Sequence, residues 1–484
     1  MTTIKLDPGA ALLLDALHGA GHAAYAVGGC VRDSLLGLDP HDWDLCTSAR
    51  PEQVMALFGE EKCIPTGLQH GTVTVKQGGR LYETTTFRTE GAYSDGRHPD
   101  AVCFVPDVRE DLARRDFTIN AMAYSAEEGL IDPFGGRDDL AAHLVRAVGE
   151  PERRFEEDAL RILRLYRFAA RFGFAIDPAT GAAARALGPH LDCVSAERIQ
   201  EELLKLLAAP RPGSYLEPAV LAVVLPELEP EKQPERFAEL CRTIDRIEPT
   251  AENVPARLAA LLCPLGEAGA CKALRKLKCS NALTDEVTAL EREAGGGAGS
   301  FLLGHEFELR HPADALCLER HSHPAGRCPN SNSLFPPQAA VVAVAGHSIA
   351  RPIACGNRVP PQRTVLGETP GTPNTTLTVQ AKRLLGRYEL PTIQRLTALC
   401  SARHPEQAEA FAALRAEAER LTAENACCRV SQLAVNGRDL MAAGVRPGPG
   451  LRQVLNALLE AVITGQTPNE KDALLAAAAQ FSAS

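Results

Sequence analysis

The sequence predicts an α+β protein, with a small mixed-sheet unit at the N-terminus and an all-α remainder. Three observations point there. Short runs rich in β-branched residues cluster before residue 106. From about residue 109, apolar residues recur at helical spacing. The composition is 45% hydrophobic, only 5% aromatic and dominated by Leu and Ala, which favours helices over a β-sandwich. At 484 residues the chain is too long for one compact domain.

Taken in order, "PGAALLLDALHGAG" from residue 8 reads as a helix stopped by Gly21. Strands are expected at 23–27, 42–47, 71–76, 80–87 and 101–106, and a helix opened by Pro51 at 51–58. Residues 91–99, "GAYSDGRHP", read as a mobile loop. "REDLARRDFTINAMAYS" (109–125) carries a helical pattern. A turn and a short helix follow in "LIDPFGGRDDLAAHLVRAVG". "PERRFEEDALRILRLYRFAARFGF" (151–174) reads as one long amphipathic helix. The next helix has Ser195 as its N-cap and ends at Pro210. Helices continue from 215 to 293. Residues 295–378 are rich in Pro, His and Asn and show no sustained period, so they read as poorly ordered or inserted. Helical pattern returns at 379 and runs to the end.

A formal net charge of −10 argues against a protein that binds polyanions over its whole surface, while leaving room for a local basic strip. The 15 Cys are odd in number and contain no CxxC pair, which fits reduced thiols in a cytoplasm better than a disulfide framework. No apolar run reaches the roughly 18–20 residues of a membrane span. His321, His323, Cys328 and Cys355 suggest zinc, but they lack the tight ligand pairing such a site needs.

The chemistry starts at "HDWDLCTSA" (41–49). On a strand, Asp42 and Asp44 share one face, with Cα atoms roughly 6.5–7 Å apart. Such carboxylates suit Mg²⁺, which takes one or two of them and fills its shell with water and phosphate oxygens. Alone, the pair reads better as two surface acids on a solvated strand face. Upstream, "VGGCVRDSLLG" (27–37) sets two glycines after a strand, where backbone can approach a ligand, and follows them with Arg32, a phosphate fork. The plain alternative is a structural Arg32–Asp33 ion pair. Glu83 in "YETTTF" reads equally well as a third carboxylate from a neighbouring strand or as an exposed strand acid. In "RRDFTINAMAY" (114–124), one arginine can reach a sugar or triphosphate, and Asp116 can hold the helix start.

In "EDALRILR" (157–164), helical spacing puts Asp158 and Arg161 side by side, and Arg161, Arg164, Arg167 and Arg171 form a basic stripe. Intrahelical ion pairs on a solvated face explain this stretch too. The sharper reading is base selection. A carboxylate that accepts beside a guanidinium that donates matches the edges of C and A. U and G present the reverse order and would leave groups unpaired, at about 1–3 kcal/mol each.

Together these pieces resemble the tRNA nucleotidyltransferase and bacterial poly(A) polymerase family, the class II branch of the polymerase-β-like nucleotidyltransferases. The resemblance rests on "GGCVRD", "HDWDLCTSA", "GLQHGTVTV", "YETTTFR", "DGRHPD", "DLARRDFTINAMAY", "LIDPFGG", "EDALRILRLYRFAARFGF" and "AERIQEELLKLL", in the family's order, with "NGRDLMAAGVRPGPGLRQVL" near the end. It implies a catalytic head (1–145), a base-reading neck (146–210), a helical body (211–294), an irregular insert (295–378) and a body and tail that hold tRNA (379–484). It implies Asp42 and Asp44 as Mg²⁺ ligands and Gly29, Arg32 and Arg115 on the triphosphate and sugar. Asp158 and Arg161 become the base-reading pair, with Arg164 and Arg167 at further nucleotide positions. The implied reaction adds C, C and A to the tRNA 3′ end from CTP and ATP without a template. CC-adding, A-adding and poly(A)-adding enzymes are related possibilities, as is an inactive RNA-binding relative. The insert matches nothing in the family, and Arg452 stands where a small residue is more usual.

Overall fold

In the computed structural model the described residues are 3–91, 102–295 and 375–481. The expected loop at 91–99 and most of the 295–378 segment, including the His and Cys residues weighed for zinc, lie outside them.

A helix α1 (Pro8–Gly19) opens the chain, capped by the Asp7 carboxylate, which accepts from the Gly9 and Ala10 amides. Strand β1 (Ala24–Val27) leads into α2 (Gly29–Leu35), and β2 (Leu45–Thr47) into α3 (Pro51–Phe58). Strands β3 (Cys63–Gly67), β4 (Thr72–Gln77) and β5 (Arg80–Thr86) follow as a meander. A small ribbon pairs β6 (Arg88–Glu90) with β7 (Val102–Phe104). Then come α4 (Val108–Ala113), β8 (Ala123–Ser125), β9 (Gly129–Ile131) and α5 (Gly136–Ala141). The main sheet has seven strands in the order β3-β4-β5-β2-β1-β8-β9. Only β2 and β5 run parallel in it, so the sheet is mixed.

Short strands β10 (Leu144–Val145) and β11 (Ala175–Ile176) pair beside the neck. The neck holds α6 (Pro151–Glu157), α7 (Leu160–Phe172), α8 (Pro178–Ala186) and α9 (Ala196–Leu207). The body continues through α10 (Pro218–Val224), α11 (Pro234–Arg246), α12 (Val254–Leu262), α13 (Gly266–Lys276) and α14 (Asn281–Ala294). It resumes with α15 (Thr375–Arg387), α16 (Leu390–Arg403) and α17 (Ala408–Ala423). The tail has α18 (Gly437–Ala442), α19 (Pro449–Ile463) and α20 (Lys471–Phe481). One apolar core runs from α1 and the sheet through neck and body, and the tail packs around Leu440, Leu458 and Leu474 as its own cluster.

Several sequence expectations need correction. The strand expected at 42–47 begins only at Leu45, and Asp42 and Asp44 lie in the segment leading into it. The helical reading of 109–125 ends at Ala113, because pairing with β1 draws Ala123–Ser125 into the sheet. The single helix over 151–174 is two helices. Asp158 sits between them with extended backbone (φ −146°, ψ 103°), and its carboxylate accepts from the Leu160 amide. This local bond competes with helix continuation. Ser195 does occupy the N-cap position of α9, without a side-chain capping bond.

One buried cation joins neck to body. Arg257 on α12 is fully buried. Its guanidinium donates to the carbonyl oxygens of Leu207 (2.7 Å), Ala209 (2.5 Å) and Ile247 (2.6 Å), the first two at the C-terminal end of α9. Those carbonyls lack helical partners, so a cation there is doubly suited.

Candidate active site

The acidic residues assemble through strand register. Strands β2 and β5 pair in parallel with Leu45 opposite Thr84, which sets Asp44 beside Glu83. Burial alternates along the approach to β2, with Trp43 and Leu45 inside and Asp42 and Asp44 on the surface. Asp44 is fixed from behind, since its carbonyl accepts the Val27 amide at 3.0 Å. Its carboxyl is pushed up to about 6, first by loss of solvent around the carboxylate and then by the charge of Glu83, with Asp42 adding a smaller push and Arg115 opposing. Carboxylates that repel one another are groups that a divalent cation can draw together. Among the described residues no group of three or more His, Cys, Asp or Glu side chains is placed to hold a metal ion. Mg²⁺ needs none, because substrate phosphates and water complete its shell.

Beside the acids lies the glycine turn. The sequence pointed to Gly29, but the constrained residue is Gly28. It has φ +77°, and a Cβ there would stand 2.7 Å from Arg115 Nη1. A Cβ on Gly29 would meet only an ordinary contact, Arg32 Nη2 at 3.5 Å. Arg115 is held by the fully buried Asp111 (3.5 Å), and its charge is felt at Asp44. Arg115, Gly28 and the acidic group thus share one corner of the head.

The other predicted arginines join a network between head and neck. Arg32 is buried and donates to Asp33 (2.8 Å) and to the Asn120 side-chain oxygen. Asn120 Nδ2 donates to Asp116 (3.0 Å), and Asp116 accepts two bonds from Arg164 on α7 (2.9 and 2.7 Å). Burial opposes charge on Asp116, but Arg164, Asn120 and Arg161 outweigh it and hold the carboxyl well below the usual range. Arg167 donates to the buried Glu202 of α9 at 2.5 Å, and Arg171 to Asp33 at 3.1 Å. The ion pair offered as the plain alternative for Arg32 and Asp33 is therefore present.

Asp158 and Arg161 do not form a side-chain pair here. Because the helix breaks between them, each has its own partner. Asp158 binds Arg198 of α9 at 2.8 Å, and Arg161 binds Glu157 at 2.7 Å. Arg161 also donates to the Arg114 carbonyl, and Arg154 to the Ala113 carbonyl, which ties the neck to the residues just before Arg115. Sequence reasoning gave no role to Asn120, Arg154, Glu157, Arg198 or Glu202. Only the spacing of Glu202 from Arg198 on one face of α9 could have hinted at the last two.

Comparison with known proteins gives the family and the fold. Residues 24–146 match the model of the poly A polymerase head domain, and residues 387–478 match that of tRNA nucleotidyltransferase domain 2. A CCA-adding enzyme of Leuconostoc citreum is 46% identical over 242 residues, covering 50% of this chain and 60% of that protein. A CCA-adding enzyme of Levilactobacillus brevis is 33% identical over 465 residues, covering 96% of both. The fold matches the crystal structure of the Bacillus stearothermophilus CCA-adding enzyme in complex with CTP, with a TM-score of 0.68, 29% identity and 98% of each chain covered. Mixed-sheet head, helical remainder, acidic corner and full-length relatives converge, and the chain belongs to the CCA-adding enzyme family of tRNA nucleotidyltransferases.

Proposed function

We propose that this protein adds C, C and A in turn to the 3′ end of tRNA, taking CTP and ATP and releasing pyrophosphate. The observation that carries this reading is the neighbourhood of three carboxylates, Asp42, Asp44 and Glu83, with Arg115, whose charges act together at Asp44. Enzymes of this family use divalent metal ions, and we assign Mg²⁺ to Asp42 and Asp44, with Glu83 beside them. When bound, the ion neutralises charge on the triphosphate and makes the attacking hydroxyl more acidic.

The chain's own residues supply the rest. Gly28 and Gly29 keep backbone close to the triphosphate, and Arg115 and Arg32 offer donors to its oxygens. The 3′ hydroxyl of the RNA loses its proton and bonds to the α-phosphorus, the bond to the β-phosphate oxygen breaks, and pyrophosphate leaves. Asp158 and Arg161 read the base edge. Arg198 and Glu157 hold those two groups in place from outside, which keeps the recognition rigid without a template. Arg164 and Arg167 support the nucleotide from the same helix. RNA held by a local basic strip on an acidic protein would bind with strong salt dependence.

The test is incubation of the full chain with tRNA ending at the discriminator base, Mg²⁺ and single labelled nucleotides. CTP should be incorporated first and ATP only after two C residues. Incorporation of UTP or GTP at the rate of CTP would refute the base-reading assignment. Asp42→Ala should abolish addition while tRNA binding persists, and full activity in that variant would remove the metal assignment.

A further inference from the structure

Where α7 meets the head, four arginines converge: Arg32, Arg164, Arg167 and Arg171. The carboxylates bonded to them are Asp33, Asp116 and Glu202. Asp33 and Glu202 are each shared by two of these arginines, so the cluster is crowded with cations. It also poses a packing problem, since Arg32 is buried at 3% exposure and water does not orient it. Bonds to Asp33, Asn120, Asp116 and Glu202 hold the edges of these guanidinium groups, and their flat faces need packing as well.

That packing is aromatic. The Phe168 ring centre lies 5.2 Å from the Arg32 guanidinium carbon, 5.4 Å from that of Arg164 and 4.0 Å from that of Arg167. The Phe172 ring centre lies 4.9 Å from Arg32 and 4.9 Å from Arg171. The two rings are parallel within 2°, with centres 6.3 Å apart, as two aromatics one helical turn apart can be. Phe168 is anchored in turn by an edge contact with Phe117 of the head, at 5.8 Å. A guanidinium is planar and weakly hydrated, so an aromatic face both attracts it and fixes its plane. A leucine would fill much the same space without that directional pull.

We propose that Phe168 and Phe172 form an aromatic platform that positions the nucleotide-holding arginines, Arg32 above all. They are positioning residues, acting through the arginines. The inference rests on the assignment of Arg32, Arg164 and Arg167 to the nucleotide. It adds that the triphosphate grip in the head and the arginines of the neck share one support on α7.

The test is steady-state addition of CTP and of ATP by the full chain, with folding of each variant checked by circular dichroism melting. Phe172→Leu should raise KM for both nucleotides about 5- to 10-fold with kcat nearly unchanged, the scale of a lost buried cation–π contact. Phe172→Tyr, which keeps the aromatic face, should restore KM. Phe168→Leu should act more strongly, since three guanidiniums rest on that ring. In an Arg32→Gln background, Phe172→Leu should add nothing further. A fall in melting temperature with KM unchanged would overturn the platform, as would equal defects in the Leu and Tyr variants or multiplying effects in the double variant. If Arg32→Gln leaves KM unchanged, the nucleotide assignment of Arg32 fails and the platform with it. If Arg32→Gln raises KM and Phe172→Leu does not, the platform alone fails.

Discussion

Asp116→Asn probes the hinge of the head–neck network. The native carboxylate accepts two bonds from Arg164 at 2.9 and 2.7 Å, one from Asn120 at 3.0 Å and one from the Phe117 amide at 2.8 Å. An amide of the same shape has one oxygen for these four donors. If the oxygen stays toward Asn120 and Phe117, an NH₂ faces the Arg164 guanidinium. Replacing two charge-assisted bonds with a donor–donor contact loses about 1 kcal/mol per bond and adds about 1–2 kcal/mol for the mismatch. Arg164 is partly open to water, which softens the loss, so the expected destabilisation is about 3 kcal/mol near pH 7.5. The pH dependence has a definite sign. Asp116 has a folded-state pKa below its unfolded value of 3.8, so its contribution is fully present above that value and is lost as pH falls below it. Urea unfolding followed by circular dichroism should give a wild-type-to-variant gap that stays flat from pH 8 to about 5 and shrinks below about 4. A gap under 0.5 kcal/mol, or one that closes between pH 8 and 6, would refute the reasoning.

Asp44 has the opposite sign. Its folded carboxyl titrates near 6 against an unfolded 3.8, so the fold holds the proton more tightly and stability falls as pH rises through that interval. In EDTA, Asp44→Asn should stabilise the protein by about 1 kcal/mol at pH 8, after discounting for its solvent exposure, with no gain below pH 4; equal melting temperatures at pH 8 would count against the crowding. Arg257→Met leaves several buried carbonyls without donors and should cost about 3–5 kcal/mol in urea unfolding, and a loss below 1 kcal/mol would show that the carbonyls find other partners. Gly28→Ala should cost about 1–2 kcal/mol for its left-handed backbone and also raise KM for CTP by displacing Arg115, whereas Gly29→Ala should leave stability nearly unchanged. Equal stability of the two alanine variants would argue against this distinction.

Much of the head was legible because its strands carry β-branched residues and its signals are local. The helix over 51–58 has the bounds read from Pro51 and its apolar spacing. Strand β8 was missed because the apolar residues around Met122 and Ala123 mimic a helical period and only pairing with β1 decides the matter. The helix break at Asp158 carries no Gly or Pro, so nothing in the chain marks it beyond an aspartate able to bond its own backbone. The acidic corner was readable because alternation along a chain survives the loss of formal strand pairing. The partners of the arginines were not. Asp116 and Arg164 are 48 residues apart, and Arg171 and Asp33 are 138 apart. A "GG" pair, likewise, does not say which glycine takes the positive φ.

The two joints of the neck are built from different chemistry. Toward the head it is fastened chiefly by buried carboxylates, which acid below about pH 4 discharges. Toward the body it is fastened by Arg257 on carbonyl oxygens, which have no proton to gain in that range and lie out of reach of ions. Acid below about pH 4 should therefore loosen the head first and leave the neck attached to the body, so that partial denaturation frees one end of the molecule instead of melting it as a whole.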